Sequence, residues 1–134
     1  MCSVVGSSGL ERGNETIKEV DMGVLGDPII VSHALSCTSK EVVYLAKNLK
    51  SGKVYFGQTG REIRHRVREH INDIENKDER KPISRHFVQT NSSRQDFWCI
   101  PIAKVVGGKE IRESVESALI KRYKTVLCGL NERD

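Results

Sequence analysis

The order in which two hydrophobic periodicities alternate is the feature that most constrains the fold of this chain. Short segments rich in β-branched and aromatic residues predict strands, and apolar residues repeated every three or four positions predict helices. In chain order these are strand Val42–Ala46, turn Asn48–Gly52, strand Lys53–Gln58, helix Arg61–Asn76, a short helix from Pro82 to Phe87, strand Phe97–Val106 and helix Lys109–Thr125. This β-β-α-α-β-α order predicts an α/β fold in which a small three-stranded sheet, antiparallel or mixed, is flanked by helices.

Two residues predict local details of these elements. Pro101 lies inside the third strand, and proline there indicates an edge strand or a bulge. Thr59 precedes the first long helix and is a candidate for its N-terminal cap.

The first 40 residues differ from the rest of the chain. They contain none of the seven aromatic residues and carry three basic and five acidic groups, a net charge of −2, which leaves +6 on residues 41–134. We therefore predict an N-terminal extension over residues 1–40, partly disordered, and one folded domain over residues 41–134. The apolar segment Pro28–Val31 could add an edge strand to the sheet or dock on the domain.

Composition excludes an integral membrane protein and a wholly disordered chain. No apolar run approaches the length of a membrane-spanning helix, and 37% hydrophobic residues are enough to build a core. The net charge of +4 permits an anionic partner without requiring one. Four scattered cysteines without metal-binding spacing, and no secretory signal pattern, predict an intracellular protein whose cysteines are ordinary thiols.

The first long helix places a basic pair beside its apolar stripe. His70 falls just outside one edge of the stripe, and Arg66 lies four residues earlier, so the two side chains are neighbours on the helix surface. They are expected at the boundary between core and solvent, next to the sheet. A solvated basic helix face that happens to include a histidine explains the same pattern.

The last helix places a carboxylate among apolar residues. Glu116 falls inside the apolar arc, between Tyr123 and Leu127, whereas Glu113 falls outside it. The apolar residues of this arc are Ala118, Ile111, Val115, Val126, Leu119, Tyr123, Leu127 and Ile120. A core-facing carboxylate is costly unless it is paired or binds a metal. Two interpretations are open: a structural ion pair, with Arg66 or Arg122 as its partner, and a metal ligand or catalytic acid.

The predicted hairpin contains two of the three tyrosines. Tyr44 and Tyr55 lie in the middle of their strands, where core packing and β-propensity account for them. Gly57 follows two residues after Tyr55. Glycine inside a strand often marks the close approach of a ligand or another backbone.

Taken together, these residues resemble the signature of the GIY-YIG nuclease superfamily. Val42-Val43-Tyr44 and Tyr55-Phe56-Gly57 are similar to its two tripeptides, with Val42-Val43 in place of Gly-Ile. The polar positions that match, in the family's order, are Arg66, His70, Glu116 and Asn131. The resemblance covers essentially all of residues 41–134 and implies a GIY-YIG-like arrangement of the fold.

A closer likeness is to the endonuclease domain of Penelope-like retroelements. The residues of this chain that carry the likeness are 37–45, 57–61 through 70–74, and 84–87. Those domains usually carry cysteines between the two tripeptides, and residues 47–54 contain none. A standalone or domesticated nuclease is equally open. The likeness implies a nuclear location if the chain derives from a eukaryotic retroelement, and a cytoplasmic one otherwise.

The resemblance implies a metal-dependent endonuclease that hydrolyses phosphodiester bonds in DNA with water as the nucleophile. Glu116 would bind one Mg²⁺ or Mn²⁺, which suits a single carboxylate because Mg²⁺ keeps several waters. Tyr44 would be the general base or orient the water, with Tyr55 assisting. An ordinary tyrosine pKa near ~10 must be lowered for that role, and the metal and Arg66 could lower it.

The same resemblance implies roles for the remaining polar positions. Arg66 would also clamp the phosphate with its planar guanidinium group. His70 would position the water or shuttle a proton. Asn131 would orient backbone or active-site groups by hydrogen bonds.

Basic residues around the hairpin and the first helix are expected to contact the DNA backbone. The residues predicted to bind substrate are Gly57, Lys53, Arg61, Arg64 and His86. Tight sequence specificity would have to come from residues 1–40, from a homo-oligomer or from a fused or recruiting partner, and no membrane partner is expected. A non-catalytic nucleic-acid-binding module on the same fold and a structural interaction domain are the alternatives.

Overall fold

The computed structural model of the chain describes residues 19–31 and 35–132. Its strands are β1 (Glu19–Val20), β2 (Ile29–Ile30), β3 (Val42–Asn48), β4 (Val54–Thr59) and β5 (Phe97–Lys104). Its α-helices are α1 (Ile63–Glu75), α2 (Pro82–Gln89), α3 (Lys109–Tyr123) and α4 (Thr125–Cys128), with 3₁₀ turns at Gly23–Leu25 and Arg94–Asp96. The predicted order of strands and helices in residues 41–134 is confirmed, with α4 as an added final turn.

The main sheet has three strands in the order β4-β3-β5, and both pairings are antiparallel. β3 is central because its residues from Val42 to Ala46 carry no charge and are buried on both faces. The predicted α/β fold with a small three-stranded sheet is confirmed, and the open choice between antiparallel and mixed strands is decided for antiparallel.

Pro101 lies both on an edge strand and at a bulge. Val43 pairs with Ala103 and Tyr44 with Pro101, so one extra residue of β5, Ile102, is accommodated between them. Proline has no N–H to donate, and β5 has a partner on one side only. Both expectations for Pro101 are therefore correct.

The long helices pack on opposite faces of the sheet. His70 of α1 contacts the ring of Tyr55, and Tyr123 of α3 contacts the ring of Phe56 at a centroid distance of 5.8 Å. Neighbouring residues of a strand point to opposite faces, so α1 and α3 cover different sides of β4. α1 begins after Glu62, and Thr59 accepts a hydrogen bond from the amide of Arg61 instead of capping the helix.

The predicted apolar face of α3 is wrong along one side. Ile111 is 49% exposed and Ala118 is exposed, whereas Arg112 is only 8% exposed. Arg112 faces β4, where its Nε donates to Oε1 of Gln58 at 3.0 Å and its guanidinium lies against Gly60. The hydrogen bond of the buried Arg112 guanidinium, and not the apolar pattern, determines which side of α3 faces the sheet.

Residues 19–31 form a small separate unit against the sheet. β1 and β2 pair with each other, and Val20, Met22 and Ile29 are buried. The hydroxyl of Tyr123 donates to the backbone oxygen of Asp27 at 2.8 Å. Residues 28–31 therefore dock on the domain and do not extend the main sheet. Of the extension over residues 1–40 that was predicted to be partly disordered, residues 1–18 and 32–34 lie outside the described residues.

The cysteines are not all thiols. Cys99 is a buried free thiol, but Cys37 is disulfide-bonded, which contradicts the expectation for that residue. In the described part of the chain, no helix has the length and apolar character needed to cross a membrane.

Candidate active site

Tyr44 and Gly57 form a direct cross-strand pair in the middle of the sheet. The tyrosine ring lies over the glycine so closely that a Cβ on Gly57 would sit 2.8 Å from Cε2 of Tyr44 and nearer still to Cζ and the hydroxyl oxygen. Gly57 is buried beneath this ring. The close approach predicted at Gly57 is therefore made by the Tyr44 ring, and the assignment of Gly57 to substrate binding stays a prediction.

The hydroxyl group of Tyr44 joins two side chains of α1. It shares a hydrogen bond of 2.9 Å with Nε2 of His70 and accepts one of 3.2 Å from Nε of Arg66. Tyr44 has no exposed surface, and His70 is 8% exposed. Three of the six residues predicted to be catalytic thus form one buried network, in which His70 lies in the core and not at its boundary.

Burial determines the protonation of this network. It raises the pKa of Tyr44 far above the ordinary value, the neighbouring Tyr55 raises it further, and the opposing effect of Arg66 is too small to offset them. Burial, assisted by the charge of Arg66, lowers the pKa of His70 to about 3. Tyr44 and His70 are therefore neutral at pH 7. Arg66 lowers the pKa of Tyr44 as predicted, but burial and Tyr55 outweigh its effect.

Glu69 links two of the predicted phosphate-binding arginines. It accepts from Arg66 at 3.0 Å and from Arg61 at 2.7 Å. Arg64 pairs with Glu62 at 2.6 Å. The sequence left two interpretations open for the basic residues of the first long helix. A solvated basic face fits Arg61 and Arg64, whose side chains are exposed. Arg66 is half-buried and reaches the network of Tyr44.

Asn131 closes the free edge of β4. Its Oδ1 accepts from the amide of Phe56 and its Nδ2 donates to the carbonyl of Phe56, both at 2.9 Å. The hydroxyl of Thr125 donates to the same Oδ1 at 2.7 Å, and the amide of Leu130 donates to the carbonyl of Val54 at 2.8 Å. The side chain replaces a missing neighbouring strand, as its predicted role of orienting the backbone requires, and it holds the residue next to Tyr55.

An open cleft of about 820 Å³ lies beside this edge. Tyr55 and Glu116 both line it, and the Tyr55 ring lies 6.5 Å from the ring of Tyr44 and 6.1 Å from that of His70. The other residues that line the cleft are Pro82, Glu110, Glu113, Ser114, Ser117, Ile120, Asn131 and Glu132. The cleft therefore brings Tyr55, Glu116 and Asn131 together, with the buried network behind Tyr55.

Glu116 is half-buried in this wall. The two arginines considered as its ion-pair partners bind other carboxylates, Arg66 that of Glu69 and Arg122 that of Asp27. Among residues 19–31 and 35–132, no group of three or more His, Cys, Asp and Glu side chains could enclose a metal ion. Glu116 shares the cleft with three further carboxylates, those of Glu110, Glu113 and Glu132.

Lys53 and His86 line a second cavity, of about 380 Å³, next to the cleft. Nε2 of His86 shares a hydrogen bond of 2.7 Å with the hydroxyl of Ser51, and burial and the charge of Lys53 lower the pKa of His86. His86 is therefore a neutral residue of the cavity wall, whereas Lys53 is exposed.

Sequence reasoning missed three contributors to this region. Glu69 lies three residues after Arg66, a spacing that indicates a helical ion pair. Arg112 lies four residues before Glu116 on the same helix, a spacing that puts both on one face. The ion pair between Arg85 and Glu132 joins residues 47 positions apart, and no local pattern indicates it.

Comparisons with known proteins concern the family and the fold of the chain. The family model of the GIY-YIG catalytic domain matches residues 40–131. A solved mutant of the catalytic domain of the intron endonuclease I-TevI superimposes with a TM-score of 0.61 at 23% identity, over 72% of this chain and 96% of that chain. The catalytic domain of the homing endonuclease I-TevI superimposes with a TM-score of 0.59 at 24% identity, over 71% and 100%. These likenesses show a shared fold. No curated protein matches the sequence.

Proposed function

Since the chain belongs to the GIY-YIG catalytic domain family, we propose that it is an endonuclease that hydrolyses phosphodiester bonds in DNA with one divalent metal ion. The observation that carries the proposal is that Tyr55 and Glu116 line one open cleft, with the Tyr44 network packed behind Tyr55. A nuclease needs a group that orients water, a ligand for a cation and space for a strand, and Tyr55, Glu116 and the open cleft would supply these three.

Glu116 would hold the metal, either Mg²⁺ or Mn²⁺. The bound ion would stabilise negative charge on the phosphate and on the leaving oxygen. Glu110, Glu113 and Glu132 line the same cleft, and their charges favour a cation there before the phosphate arrives.

Tyr55 is the tyrosine that we assign to the water. It is half-buried and lines the cleft, whereas Tyr44 has no exposed surface. A group that orients or deprotonates a nucleophile must come within hydrogen-bonding distance of it. We therefore assign contact with the reacting groups to Tyr55 and a positioning role to Tyr44.

The buried network holds Tyr44 in a defined state. A guanidinium group only donates, so the hydroxyl oxygen accepts from Arg66 and its proton is free to be donated to His70. Neutral His70 with Nε2 unprotonated is the matching acceptor. The network thereby supports the ring packing behind Tyr55, and Arg66 brings a positive charge to this side of the site.

Plasmid cleavage tests the proposal. The wild-type protein is expected to nick or linearise supercoiled DNA with Mg²⁺ or Mn²⁺ and to lose activity when a chelator is added. Glu116→Gln removes the metal ligand and is expected to lower the rate by about 10²-fold or more. Glu113→Gln is the matched control, since it removes one charge from the same cleft and same helix, and most activity is expected to remain.

Two results would contradict the mechanism. One is cleavage that survives both the chelator and Glu116→Gln. The other is an equal loss of activity in Glu116→Gln and Glu113→Gln, which would mean that only the summed charge of the cleft matters.

A non-catalytic nucleic-acid-binding module is the second candidate. The full burial of the Tyr44 hydroxyl favours it, because this tyrosine cannot reach a phosphate in the described conformation. Salt-sensitive DNA binding by a folded protein that cuts under none of these conditions would support this candidate.

The finer assignments stay predictions. These are the likeness to the endonuclease domain of Penelope-like retroelements, the domain boundary at residue 41, the intracellular location and the need for an oligomer or recruiting partner.

A further inference from the structure

The second cavity opens next to the proposed catalytic cleft and shares part of its wall. Pro82, Asn131 and Glu132 line both spaces. The two spaces therefore form neighbouring parts of one groove along the free edge of β4. Anything long that enters the cleft beside Glu116 can extend into the second cavity.

The two parts of the groove differ in charge. The cleft is lined by four glutamates, whereas the second cavity is lined by Lys53 and Arg85, with Glu132 at the junction. Lys53 is exposed and, within the described ranges, forms no ion pair. A strand of DNA carries one negative charge per nucleotide, so a basic part beside a metal-binding part matches two successive features of one ligand.

Arg85 already holds an anion. Nη2 of its guanidinium group pairs with the carboxylate of Glu132, and Nη1 donates to the backbone oxygen of Glu79 at 3.1 Å. Guanidinium groups bind carboxylates and phosphates through the same planar geometry. The Glu132 carboxylate thus occupies the position on Arg85 that a phosphate oxygen would take.

The wall behind these charges is fixed. His86 is buried, and its hydrogen bond to Ser51 joins α2 to the turn that precedes β4. Because Lys53 lies two residues after Ser51, this bond holds the loop that carries Lys53 against the helix that carries Arg85. Lys53 and Arg85 therefore line one cavity whose wall is held together by this hydrogen bond.

We propose that the second cavity binds a phosphate group of the DNA strand that flanks the cleaved bond, with Arg85 and Lys53 as its ligands and Glu132 as the group that this phosphate displaces. This inference rests on the proposed function, because it assumes that DNA lies in the cleft. The side chain of Glu132 is 57% exposed and that of Arg85 is 34% exposed, and ion pairs that water reaches contribute little, so a phosphate can replace the carboxylate.

DNA binding measured by fluorescence anisotropy with a labelled duplex tests the inference, in EDTA so that nothing is cut. Arg85→Ala and Lys53→Ala are expected to raise Kd by about 5- to 10-fold at low salt, and either one should reduce the salt dependence by at most about the one phosphate contact that they share. Glu132→Gln is expected to lower Kd, because it removes the competing carboxylate. Circular dichroism checks that each variant is folded.

The ion pair of Arg94 and Glu75 is the matched control. It is also an exposed arginine–glutamate pair, but neither residue lines the groove. Arg94→Ala and Glu75→Gln are expected to change Kd by less than about 2-fold. In cleavage assays, Arg85→Ala is expected to raise KM and leave kcat near the wild-type value.

The outcomes distinguish a failure of the phosphate site from a failure of the proposed nuclease function. If the wild-type protein cuts DNA but Arg85→Ala and Lys53→Ala bind no more weakly than Arg94→Ala, the phosphate site is wrong and the nuclease stands. A rise of Kd in Glu132→Gln would also overturn it. If the wild-type protein neither binds nor cuts DNA, the proposed function and this inference both fail.

Discussion

Replacing Gly57 with alanine is expected to destabilise the fold by about 2–5 kcal/mol and to reduce any activity that depends on Tyr44. The new Cβ would lie 2.8 Å from Cε2 of Tyr44 and closer to its Cζ, a distance that the side chain cannot tolerate. The Tyr44 ring is fully buried, so it has no solvent to move into.

The magnitude follows from three contributions. Overpacking a buried site costs about 1–3 kcal/mol. Displacing the Tyr44 ring also breaks the hydrogen bond from the charged Arg66, which is worth about 1.5–3 kcal/mol. Alanine offsets about 0.5–1 kcal/mol of this, because glycine is the poorer residue inside a strand. The net change is a clear loss of stability.

Urea unfolding followed by the fluorescence of Trp98, the only tryptophan, measures this loss. Gly60→Ala is the matched control. Its Cβ would meet Nη2 of Arg112 at 3.0 Å, a contact that a shift of a few tenths of an ångström at the end of this side chain relieves while Nε keeps its hydrogen bond to Gln58, so the expected loss is below about 1 kcal/mol. The packing argument would be refuted if Gly57→Ala were as stable as the wild type or lost no more than Gly60→Ala.

Three further predictions concern the same region. Tyr44→Phe keeps the ring over the glycine but leaves Nε2 of His70 without its partner, and urea unfolding should show a loss of about 1–3 kcal/mol. Asn131→Ala removes both hydrogen bonds to the backbone of Phe56, so hydrogen exchange at the Phe56 amide should accelerate and stability should fall by about 2–4 kcal/mol; unchanged exchange would contradict the edge-closing role. His70 has a pKa of about 3 when folded and 6.5 ordinarily, so the unfolded chain binds the extra proton between these values. Its contribution to stability should therefore be constant above pH 6.5 and fall below it by about 1.4 kcal/mol per pH unit, and this component should be missing from His70→Gln.

Local patterns were sufficient for the elements and their order. β-branched and aromatic residues predicted the three strands, and helical spacing of apolar residues predicted the helices. Pro101 indicated an edge strand or a bulge, because proline has no N–H to donate to a neighbouring strand. These inferences depend on interactions between near neighbours, which the sequence contains directly.

Patterns were insufficient where distant groups compete for the same space. The apolar residues of α3 predicted a buried Ile111, but the hydrogen bond between Arg112 and Gln58 turned that side of the helix outward. Gly57 indicated a close approach but not its cause, because the Tyr44 ring comes from the partner strand. A residue's contacts across a sheet depend on register, which no single segment specifies.

By itself, the sequence determined which polar residues this domain has and on which elements they lie. Only the tertiary structure decided that Tyr55, Glu116 and Asn131 meet at an open cleft while Tyr44 and His70 are enclosed behind it. The alternation of a strand assigns a residue to a face, but the element that covers that face decides whether water reaches it. Water access in turn sets the pKa of Tyr44 and His70, so their protonation is a property of the packed domain.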